Sequence, residues 1–329
     1  MKKRIYIYES GTLARQDNSL VFIREKDKYK FYLPIYQIEL ISIYDHCVFN
    51  KDLVQILFEN NISILMFTFN GRYLGCFSPK RNFLGDILIK QVTIVTDLER
   101  KNIYAKEIIN SSICNMLSVL KYYNKKGRNL DEYINNIQLL QNKFIDQDLK
   151  NFSLIYEAKI KMIYYSSFNE IIKSNYFCFK RRTTNPPEDP INALMSYGYA
   201  VLYGILENDI HLSNLNISLP FIHGVTRNPG GLQYDIADIF KPVIIDRLIF
   251  RMINKRQIDS SYFIYNKDSI LLSKQGTRLF LEEFENQLST TISVNNKKIS
   301  YRSLLKKEVY KIELSIKNDK KYIGYKMRW

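Results

Sequence analysis

One histidine of this 329-residue chain stands near two carboxylates, a combination that could bind a metal. His223 follows the apolar run LPFI and precedes a glycine-rich loop. Asp235 and Asp238 come twelve and fifteen residues later, at a spacing that places both on one face of a helix. An imidazole and carboxylates are suitable ligands for a divalent cation. The spacing therefore predicts a candidate metal site between the loop and the helix that follows it.

The same two aspartates also have a purely structural interpretation. Asp235 could be the N-cap of the helix after the loop, and Asp238 would then stand at the third helical position, as in an acidic capping box. Both charges would stabilise the positive end of the helix dipole without any metal. Spacing alone leaves the two interpretations open.

Glu157 presents a similar choice on another predicted helix, which begins near Ser153. Lys161 follows four residues later, in the orientation that favours a surface ion pair. The functional alternative is a third metal ligand from a second helix, which no local pattern can establish. The sequence contains no GxSxG, HExxH, CxxC or P-loop motif that would indicate a different chemistry.

The charge of the chain indicates a polyanionic partner. It carries 48 Lys and Arg against 33 Asp and Glu, a net charge of +15, which favours nucleic acid, an anionic membrane surface or an acidic protein. Residues 1–80 have a net charge of +3, whereas residues 297–329 have +8. Interleaved aromatic residues give this C-terminal stretch the composition of a phosphate-contacting segment, and a solvated helix is the alternative. These aromatic residues are Tyr301, Tyr310, Tyr322, Tyr325 and Trp329.

Two kinds of hydrophobic period divide the chain. Short alternating runs separated by polar turns predict a β-rich domain over residues 1–80. The runs are RIYIYES, LVFIRE, KFYLP, IELISIY, ISILMF and RYLGCF. One helix is predicted there, in DLVQILFENN, with Asn50 as its cap. From Arg81 onward, after Pro79, the period is helical. The predicted fold class is α+β: a small β-rich N-terminal domain followed by a larger all-α C-terminal domain over residues 81–329.

Composition also predicts where the protein works. The 25 Tyr and 19 Phe can bury much more surface than a disordered chain carries. The four cysteines lie far apart, which argues against a disulfide framework or a zinc knuckle. No apolar run approaches the ~18 residues of a membrane span, and the run after the N-terminal lysines is too short for a signal peptide. These features predict a cytoplasmic protein with no membrane partner.

Four segments together resemble one known family, the CRISPR-associated endonuclease Cas1, the integrase that captures new spacers. They are SLIYEAKIKMIYYSSFN with Glu157, PPEDPINALMSYGYAVLY, LPFIHG with His223, and DIADIFKPVIIDRL. The resemblance runs in order along the whole chain. It implies that Glu157, His223 and Asp238 are ligands of Mn²⁺ or Mg²⁺, and that Asp235 is a nearby acidic residue that supports the site.

The resemblance further implies a metal-dependent DNA endonuclease and integrase, which inserts spacer DNA into the repeat array by attack of a 3′ hydroxyl on a phosphodiester. The implied partners are double-stranded DNA, a second copy of the chain paired through the β-rich domain, and the small Cas2 protein. The alternative is a non-catalytic DNA-binding scaffold whose acidic residues are caps and ion pairs. Charge and location predict the phosphate contacts, which are Lys180, Arg181, Arg182, Arg227, Arg247 and the lysines from Lys297 onward.

Overall fold

The computed structural model describes residues 2–68, 71–80, 84–149, 152, 154–224, 230–294 and 296–327. Arg227 and Trp329, both singled out from the sequence, lie outside the described residues. A β-rich N-terminal part is followed by a mostly helical part, as the hydrophobic period predicts. Among the described residues, no helix combines the length and the apolar character needed to cross a membrane.

Strands in the N-terminal part form two four-stranded sheets. They are β1 (Lys3–Ile7), β2 (Gly11–Gln16), β3 (Ser19–Arg24), β4 (Lys30–Pro34), β5 (Ile38–Ile43), β6 (Cys47–Val48), β7 (Ser63–Phe67) and β8 (Tyr73–Phe77). The first sheet has the order β1-β5-β7-β8, in which only β8 runs antiparallel to its neighbour. The second has the order β4-β3-β2-β6. The six predicted runs are confirmed as strands, and β2 and β6 are additional.

Among the described residues of the N-terminal part, one α-helix, α1 (Lys51–Glu59), accompanies these sheets. The side chain of Asn50 accepts a hydrogen bond from the backbone N–H of Leu53 at 3.0 Å, which confirms the predicted cap. Leu53 and Leu57 are fully buried on the face that meets the strands. A short 3₁₀ turn, Ile35–Gln37, connects β4 to β5.

The β1-β5-β7-β8 sheet is covered on both faces. Ile41 and Ile43 of β5 join a core shared with the second sheet and α1. Leu40 points the other way and joins the core of the helical part, because successive side chains of a strand face opposite sides. Ile64 and Leu65 of β7 divide between the two cores in the same way. Burial on both faces explains why these strands are near-continuous apolar runs.

The second part of the chain is built from ten further helices within the described residues. They are α2 (Gly85–Thr96), α3 (Leu98–Asn124), α4 (Asp131–Ile145), α5 (Ile155–Ser166), α6 (Phe168–Ile172), α7 (Pro190–His211), α8 (Leu232–Phe240), α9 (Arg247–Asn254), α10 (Lys274–Ser289) and α11 (Tyr301–Lys317). Side-chain oxygens of Asp97, Asp189, Ser273 and Ser300 cap four of them. A 3₁₀ turn, Ser260–Tyr262, precedes β9.

Two short hairpins add strands to the part predicted to be all helical. They are formed by β9 (Phe263–Tyr265) with β10 (Ile270–Leu272), and by β11 (Thr291–Val294) with β12 (Lys297–Ser300). Both flank α10. Strands of three or four residues are too short to give a period in the sequence, so the helical pattern around them dominates the prediction.

A π-helical turn, Lys241–Asp246, joins α8 to α9 where the sequence pattern predicts one continuous helix. Pro242 has no N–H to donate to the carbonyl of Asp238, four residues earlier. Ser112 of α3 donates to that carbonyl instead, at 2.7 Å. Asn115 of α3 donates to the carbonyl of Ile239, also at 2.7 Å. Helix α3 therefore fixes the position of the helix that carries Asp238.

The segment after α11, residues 320–327, lies along α3 and is held to it by hydrogen bonds. Asn115, which is fully buried, accepts from the N–H of Met327 at 2.7 Å and donates to the carbonyl of Tyr325 at 3.1 Å. Ser118 donates to the carbonyl of Met327 at 2.9 Å. Because Asn115 also bonds to Ile239, one amide side chain connects this segment to α8.

Burial of the C-terminal aromatic residues limits what this segment can do. Tyr301, Tyr322 and Tyr325 are buried in the helical core, so they cannot stack on nucleic-acid bases. An interpretation of these three aromatic side chains as part of a phosphate-contacting surface is therefore wrong. Most of the lysines between residues 297 and 321 are exposed, and their contact with phosphate stays a prediction.

Polar contacts connect the β-rich and helical parts. The hydroxyl of Tyr6 donates to Glu285 of α10 at 2.9 Å. Arg302 of α11 donates to the carbonyl of Lys2 at 3.2 Å and pairs with Glu39 at 3.4 Å. The chain passes from the β-rich part to the helical part between β8 and α2, close to Pro79. The two parts nevertheless share an extensive interface. The division into domains 1–80 and 81–329 stays a prediction.

Candidate active site

Helix α8 carries Asp235 and Asp238, but it begins earlier than the capping-box interpretation requires. Its first residue is Leu232 and its N-cap is Gly231, so Asp235 is the fourth helical residue. The capping-box interpretation is therefore wrong. Asp235 instead faces the loop before the helix, and its fully buried carboxylate accepts hydrogen bonds from the N–H groups of Phe221 at 2.6 Å and Ile222 at 3.1 Å.

His223 is held by the same carboxylate. Its Nδ1 lies 2.6 Å from Oδ1 of Asp235, and its backbone N–H donates to that oxygen at 3.3 Å. With the carboxylate as acceptor and Nδ1 as donor, Nε2 is the ring nitrogen left to take a ligand. The imidazole side chain is 42% exposed. A carboxylate behind a histidine in this way is typical of histidines that bind metals.

Glu157 and Asp238 meet at one ammonium group. Glu157 lies in the first turn of α5, and Lys161, one turn later, forms the predicted ion pair with it. The Lys161 Nζ also lies 3.0 Å from Oδ2 of Asp238, which brings α5 and α8 together. Lys241 donates to the other oxygen of Asp238 at 2.5 Å. Two carboxylates from different helices thus share one cationic position.

The two lysines keep the buried carboxyl of Asp238 ionised. Burial alone would raise its pKa, but the charges of Lys161 and Lys241 outweigh burial and hold the pKa of Asp238 well below its usual range. Burial would likewise lower the pKa of Lys161, yet Asp238 and Glu157 raise it above its usual value. The cluster is therefore charged at neutral pH, with every charge compensated by another.

The donor set fits a divalent cation in its chemistry. No three His, Cys, Asp or Glu side chains lie close enough together to share a metal ion in the described part of the chain. However, two carboxylates already converge on a positive charge at Lys161, and oxygen donors are the ligands that Mg²⁺ and Mn²⁺ prefer. The assignment of Glu157, His223 and Asp238 as metal ligands stays a prediction.

Comparison with known proteins identifies the family. The family model described as CRISPR associated protein Cas1 matches residues 5–286. The CRISPR-associated endonuclease Cas1 of Fusobacterium nucleatum is 32% identical over 332 residues, covering 100% of this chain and 98% of that protein. The chain belongs to the Cas1 family. The family resemblance predicted from four sequence segments is confirmed.

Solved structures share the fold of this Cas1 family member. A casposase bound to integration product has a TM-score of 0.85 at 19% identity, covering 98% of this chain and 93% of that chain. A chain of a Cas6-RT-Cas1–Cas2 complex has a TM-score of 0.80 at 18% identity, covering 100% of this chain and 36% of that chain. At these identities the similarity shows the fold alone, a β-rich part followed by a helical part.

A buried polar cluster that the sequence pattern does not predict lies beneath the candidate site of this Cas1 family member. Lys241 lies over the rings of Tyr199 and Tyr203, at 4.9 and 5.0 Å from their centroids. The Tyr199 hydroxyl donates to Asp246 at 2.7 Å, and the Tyr164 hydroxyl donates to it at 3.1 Å. The sequence signal that could have revealed this cluster is one aspartate, Asp246, within the apolar run PVIID. The cluster helps to position Lys241, which in turn contacts Asp238.

Stability is expected to depend on pH through Asp246. Burial raises its pKa to about 7, although both tyrosine hydroxyls oppose the shift. Because the folded-state pKa exceeds the unfolded value of about 3.9, the stabilisation is full below pH ~4 and is lost as pH rises through ~7. Between pH 5 and 8 the free energy of unfolding should fall by roughly 2 to 3 kcal/mol more in the wild type than in Asp246→Asn. Urea titrations at both pH values measure this, and parallel pH profiles would contradict it.

The predicted phosphate contacts near α7 differ in how available they are. Arg182 faces inward, where it donates to Asn192 at 2.9 Å and to Ser196 at 3.1 Å. Arg181 is exposed and lies 3.4 Å from Glu188, and Lys180 is exposed. The triplet lies in the loop between α6 and α7, not at a helix end. Because its guanidinium already donates hydrogen bonds within the protein, Arg182 has fewer N–H groups available for a phosphate than an exposed arginine would have.

Proposed function

We propose that this chain is a divalent-metal-dependent DNA endonuclease and integrase of CRISPR adaptation. The observation that carries the proposal is the convergence of Glu157 and Asp238, from α5 and α8, on one cationic position. The Asp235–His223 pair stands at the entry to the same helix α8. Membership of the Cas1 family, whose relative in Fusobacterium nucleatum is named an endonuclease, supports the same activity.

Glu157, His223 and Asp238 are the residues that would hold the Mn²⁺ or Mg²⁺ ion. When bound, such an ion supplies positive charge that offsets the negative charge developing on the phosphate oxygens. The same charge stabilises the attacking oxygen in its deprotonated form. Lys161, which bridges the two carboxylates, would yield this position to the ion. Two carboxylates and one imidazole would leave such a dication coordination positions open for substrate oxygens and water.

The chain's own side chains orient the reacting groups. Asp235 fixes the imidazole of His223 through Nδ1, so the lone pair of Nε2 has one defined direction. Lys241, which is bonded to Asp238, would place a positive charge near a phosphate bound at this site. Water as the attacking group gives cleavage, and a DNA 3′ hydroxyl gives strand transfer. None of these groups has to read a base, which suits an enzyme that accepts many spacer sequences.

Double-stranded DNA and Cas2 are the proposed partners. The net charge of +15 favours a polyanion, and the phosphate backbone provides one without sequence dependence. One fold neighbour is a casposase bound to integration product, and another belongs to a complex that contains Cas2. The proposal extends an integration reaction and a Cas2 partner from those proteins to this chain through the shared fold and family.

A homodimer is proposed through the β-rich part. Strand β4 is at the edge of its sheet, paired on one side with β3. Around it, Tyr29, Phe31, Tyr32 and Tyr36 are between 43% and 70% exposed. An exposed edge strand with clustered aromatic side chains is a surface that another chain can cover. The modest net charge of +3 over residues 1–80 also favours self-association.

Tyr32→Asp is expected to weaken this dimer. Burial of an unpaired charge in the interface costs about 2 to 3 kcal/mol or more, so the dissociation constant should rise at least 30-fold. Sedimentation velocity over a concentration series measures it. Tyr265→Asp is a matched control, because Tyr32 and Tyr265 are 52% and 51% exposed. Equal dissociation constants for the two variants would contradict pairing through β4.

An integration assay tests the proposed function. It combines the chain with Cas2, a short duplex bearing free 3′ hydroxyls and a plasmid with a repeat array, in Mn²⁺, Mg²⁺ or chelator. Strand transfer with either metal and none with chelator is expected. DNA binding without strand transfer under any of these conditions would favour the non-catalytic scaffold, in which the Glu157–Lys161–Asp238 cluster is only an ion-pair network.

A further inference from the structure

Two polar side chains of α3 bond to the main chain of α8 at the proposed metal ligand itself. Ser112 donates to the carbonyl of Asp238, and Asn115 donates to the carbonyl of Ile239, each at 2.7 Å. Ser112 and Asn115 are three residues apart, so they lie on one face of α3. Two consecutive carbonyls of α8 are therefore held by two donors on a single helix.

The bond from Ser112 compensates for the interruption of the helix at Pro242. In a continuous α-helix the N–H four residues later would bond to the carbonyl of Asp238, and proline has no such group. Asp238 lies in the last turn of α8, so this bond from the following turn is missing where the ligand stands. A buried carbonyl without a donor is costly, and Ser112, which is itself buried, supplies the donor.

The position of the main chain matters more for Asp238 than for Glu157. The aspartate side chain is short, so its carboxylate follows any shift of α8, whereas the longer glutamate side chain can adapt through its additional torsion. Lys161 now holds one oxygen of Asp238, at 3.0 Å. An ion bound between the two carboxylates would displace this ammonium group and remove its contact. The two bonds from α3 act on main-chain carbonyls, so this exchange leaves them intact.

The C-terminal segment determines which way the Asn115 amide faces. The N–H of Met327 donates to the side-chain oxygen of Asn115 at 2.7 Å, so the NH₂ group is the end that faces the carbonyls of Ile239 and Tyr325. Glu308 holds the same segment by accepting from the N–H of Tyr325 at 2.9 Å. Asn115 is fully buried, so water does not compete for these bonds. The groups that position α8 therefore include the segment after α11.

We infer that Ser112 and Asn115 are positioning residues of the active site, which hold Asp238 where it can bind the metal ion. They act through the main chain of α8. Groups that fix a metal ligand in this way commonly contribute about 10- to 100-fold to metal affinity. The inference rests on the proposed function, because it takes Asp238 as a ligand. The alternative is that both side chains only satisfy buried carbonyls, which would affect stability but not the metal affinity of the folded protein.

Ser112→Ala tests the inference, and the preceding residue provides a matched control. The substitution removes the donor to the carbonyl of Asp238. Ser111→Ala is the control, because Ser111 is also buried on α3 but its hydroxyl donates to Glu107 of the same helix, at 3.4 Å. Binding of Mn²⁺ to the full-length proteins is titrated by electron paramagnetic resonance, which measures the free ion without any reaction. Circular dichroism confirms that each variant is folded.

Asn115→Ala and Asn102→Ala form a second pair of variants. Both asparagines are buried on α3. Asn102 donates to the carbonyl of Leu149, in the segment after α4, at 2.7 Å. This pair repeats the comparison at the next carbonyl of α8, that of Ile239.

The dissociation constant for Mn²⁺ should rise about 10-fold in Ser112→Ala and Asn115→Ala and stay within about twofold of wild type in the two controls. Strand transfer at limiting Mn²⁺ should fall to a similar extent, and saturating Mn²⁺ should restore most of it. A variant that had only lost stability would keep the wild-type dissociation constant in its folded fraction. Equal Mn²⁺ affinities of Ser112→Ala and Ser111→Ala, with both proteins folded, would overturn the inference.

Failure of the proposed function gives a different result. If the wild type binds no Mn²⁺ and transfers no strand, the metal proposal fails. Hydrogen exchange of the amides of residues 236–246, measured by mass spectrometry, then tests whether α3 holds α8 in place. Faster exchange in Ser112→Ala than in Ser111→Ala would support the positioning of Asp238 by α3, and equal exchange would overturn it.

Discussion

Strand transfer by Asp238→Asn is expected to fall by about 10³-fold or more, while DNA binding stays within about threefold. Asp238 is the residue on which the cluster depends, because its two oxygens meet Lys161 and Lys241. Asparagine has nearly the same shape but no charge, and its amide N–H₂ would face an ammonium group. The variant thus loses the negative charge that a metal ion needs and the compensation of two lysines.

Glu157→Gln should lose strand transfer to a similar extent with less effect on folding. Glu157 contacts one ammonium, that of Lys161, and lies in the first turn of α5. A matched control is Glu282→Gln, which also removes an ion pair at i,i+4 spacing, with Arg278. Gel assays of strand transfer and urea titrations measure both effects. Wild-type strand transfer by Asp238→Asn and Glu157→Gln would eliminate the catalytic assignment of this cluster.

Substitutions of His223 and Asp235 are expected to differ in their effects on strand transfer and on the stability of the fold. His223→Ala should abolish strand transfer but change the free energy of unfolding by less than about 1 kcal/mol, because the imidazole is 42% exposed. Asp235→Ala should destabilise the protein by about 3 to 5 kcal/mol. It leaves the N–H groups of Phe221 and Ile222 buried without their acceptor and removes a fully buried partner of the loop.

Asp235→Asn isolates the orienting role of this carboxylate. An amide in place of the carboxylate no longer requires the proton on Nδ1 of His223, so we expect about 100-fold slower strand transfer in a folded protein. If Asp235→Asn transfers strands at the wild-type rate while His223→Ala does not, the orienting role is wrong.

Local patterns in the sequence predict the features that depend on neighbouring residues. Alternation predicts β5 and β7, and Asn50 caps α1 because the helix N-terminus needs an acceptor three residues before Leu53. The i,i+4 spacing predicts the Glu157–Lys161 pair. Strand β2 is missed because Leu13 and Ala14 are the only apolar side chains of GTLARQ, so its alternation is too weak to detect.

Contacts between distant segments could not be predicted in this way. Lys161 and Asp238 are 77 residues apart, and only the packing of α5 near α8 brings them together. The capping-box interpretation of Asp235 failed for the same reason. Sequence shows an acidic residue near a helix start, but its hydrogen-bond partners are the N–H groups of residues 221 and 222, fourteen and thirteen residues earlier. Family resemblance assigned Asp235 a supporting role where spacing left two possibilities.

The hydrogen bonds of Asn115 to α8 and to the C-terminal segment cannot all form at the same stage of protein synthesis. Asn115 and Ile239 are translated before Tyr325 and Met327, whose backbone groups complete the hydrogen bonds of the Asn115 amide. Domains fold as they emerge from the ribosome, N-terminal residues first. A nascent chain that already contains every proposed metal ligand therefore still lacks part of what holds Asp238 in place. We therefore expect the proposed nuclease activity to reach its full level only after Tyr325 and Met327 have left the ribosome.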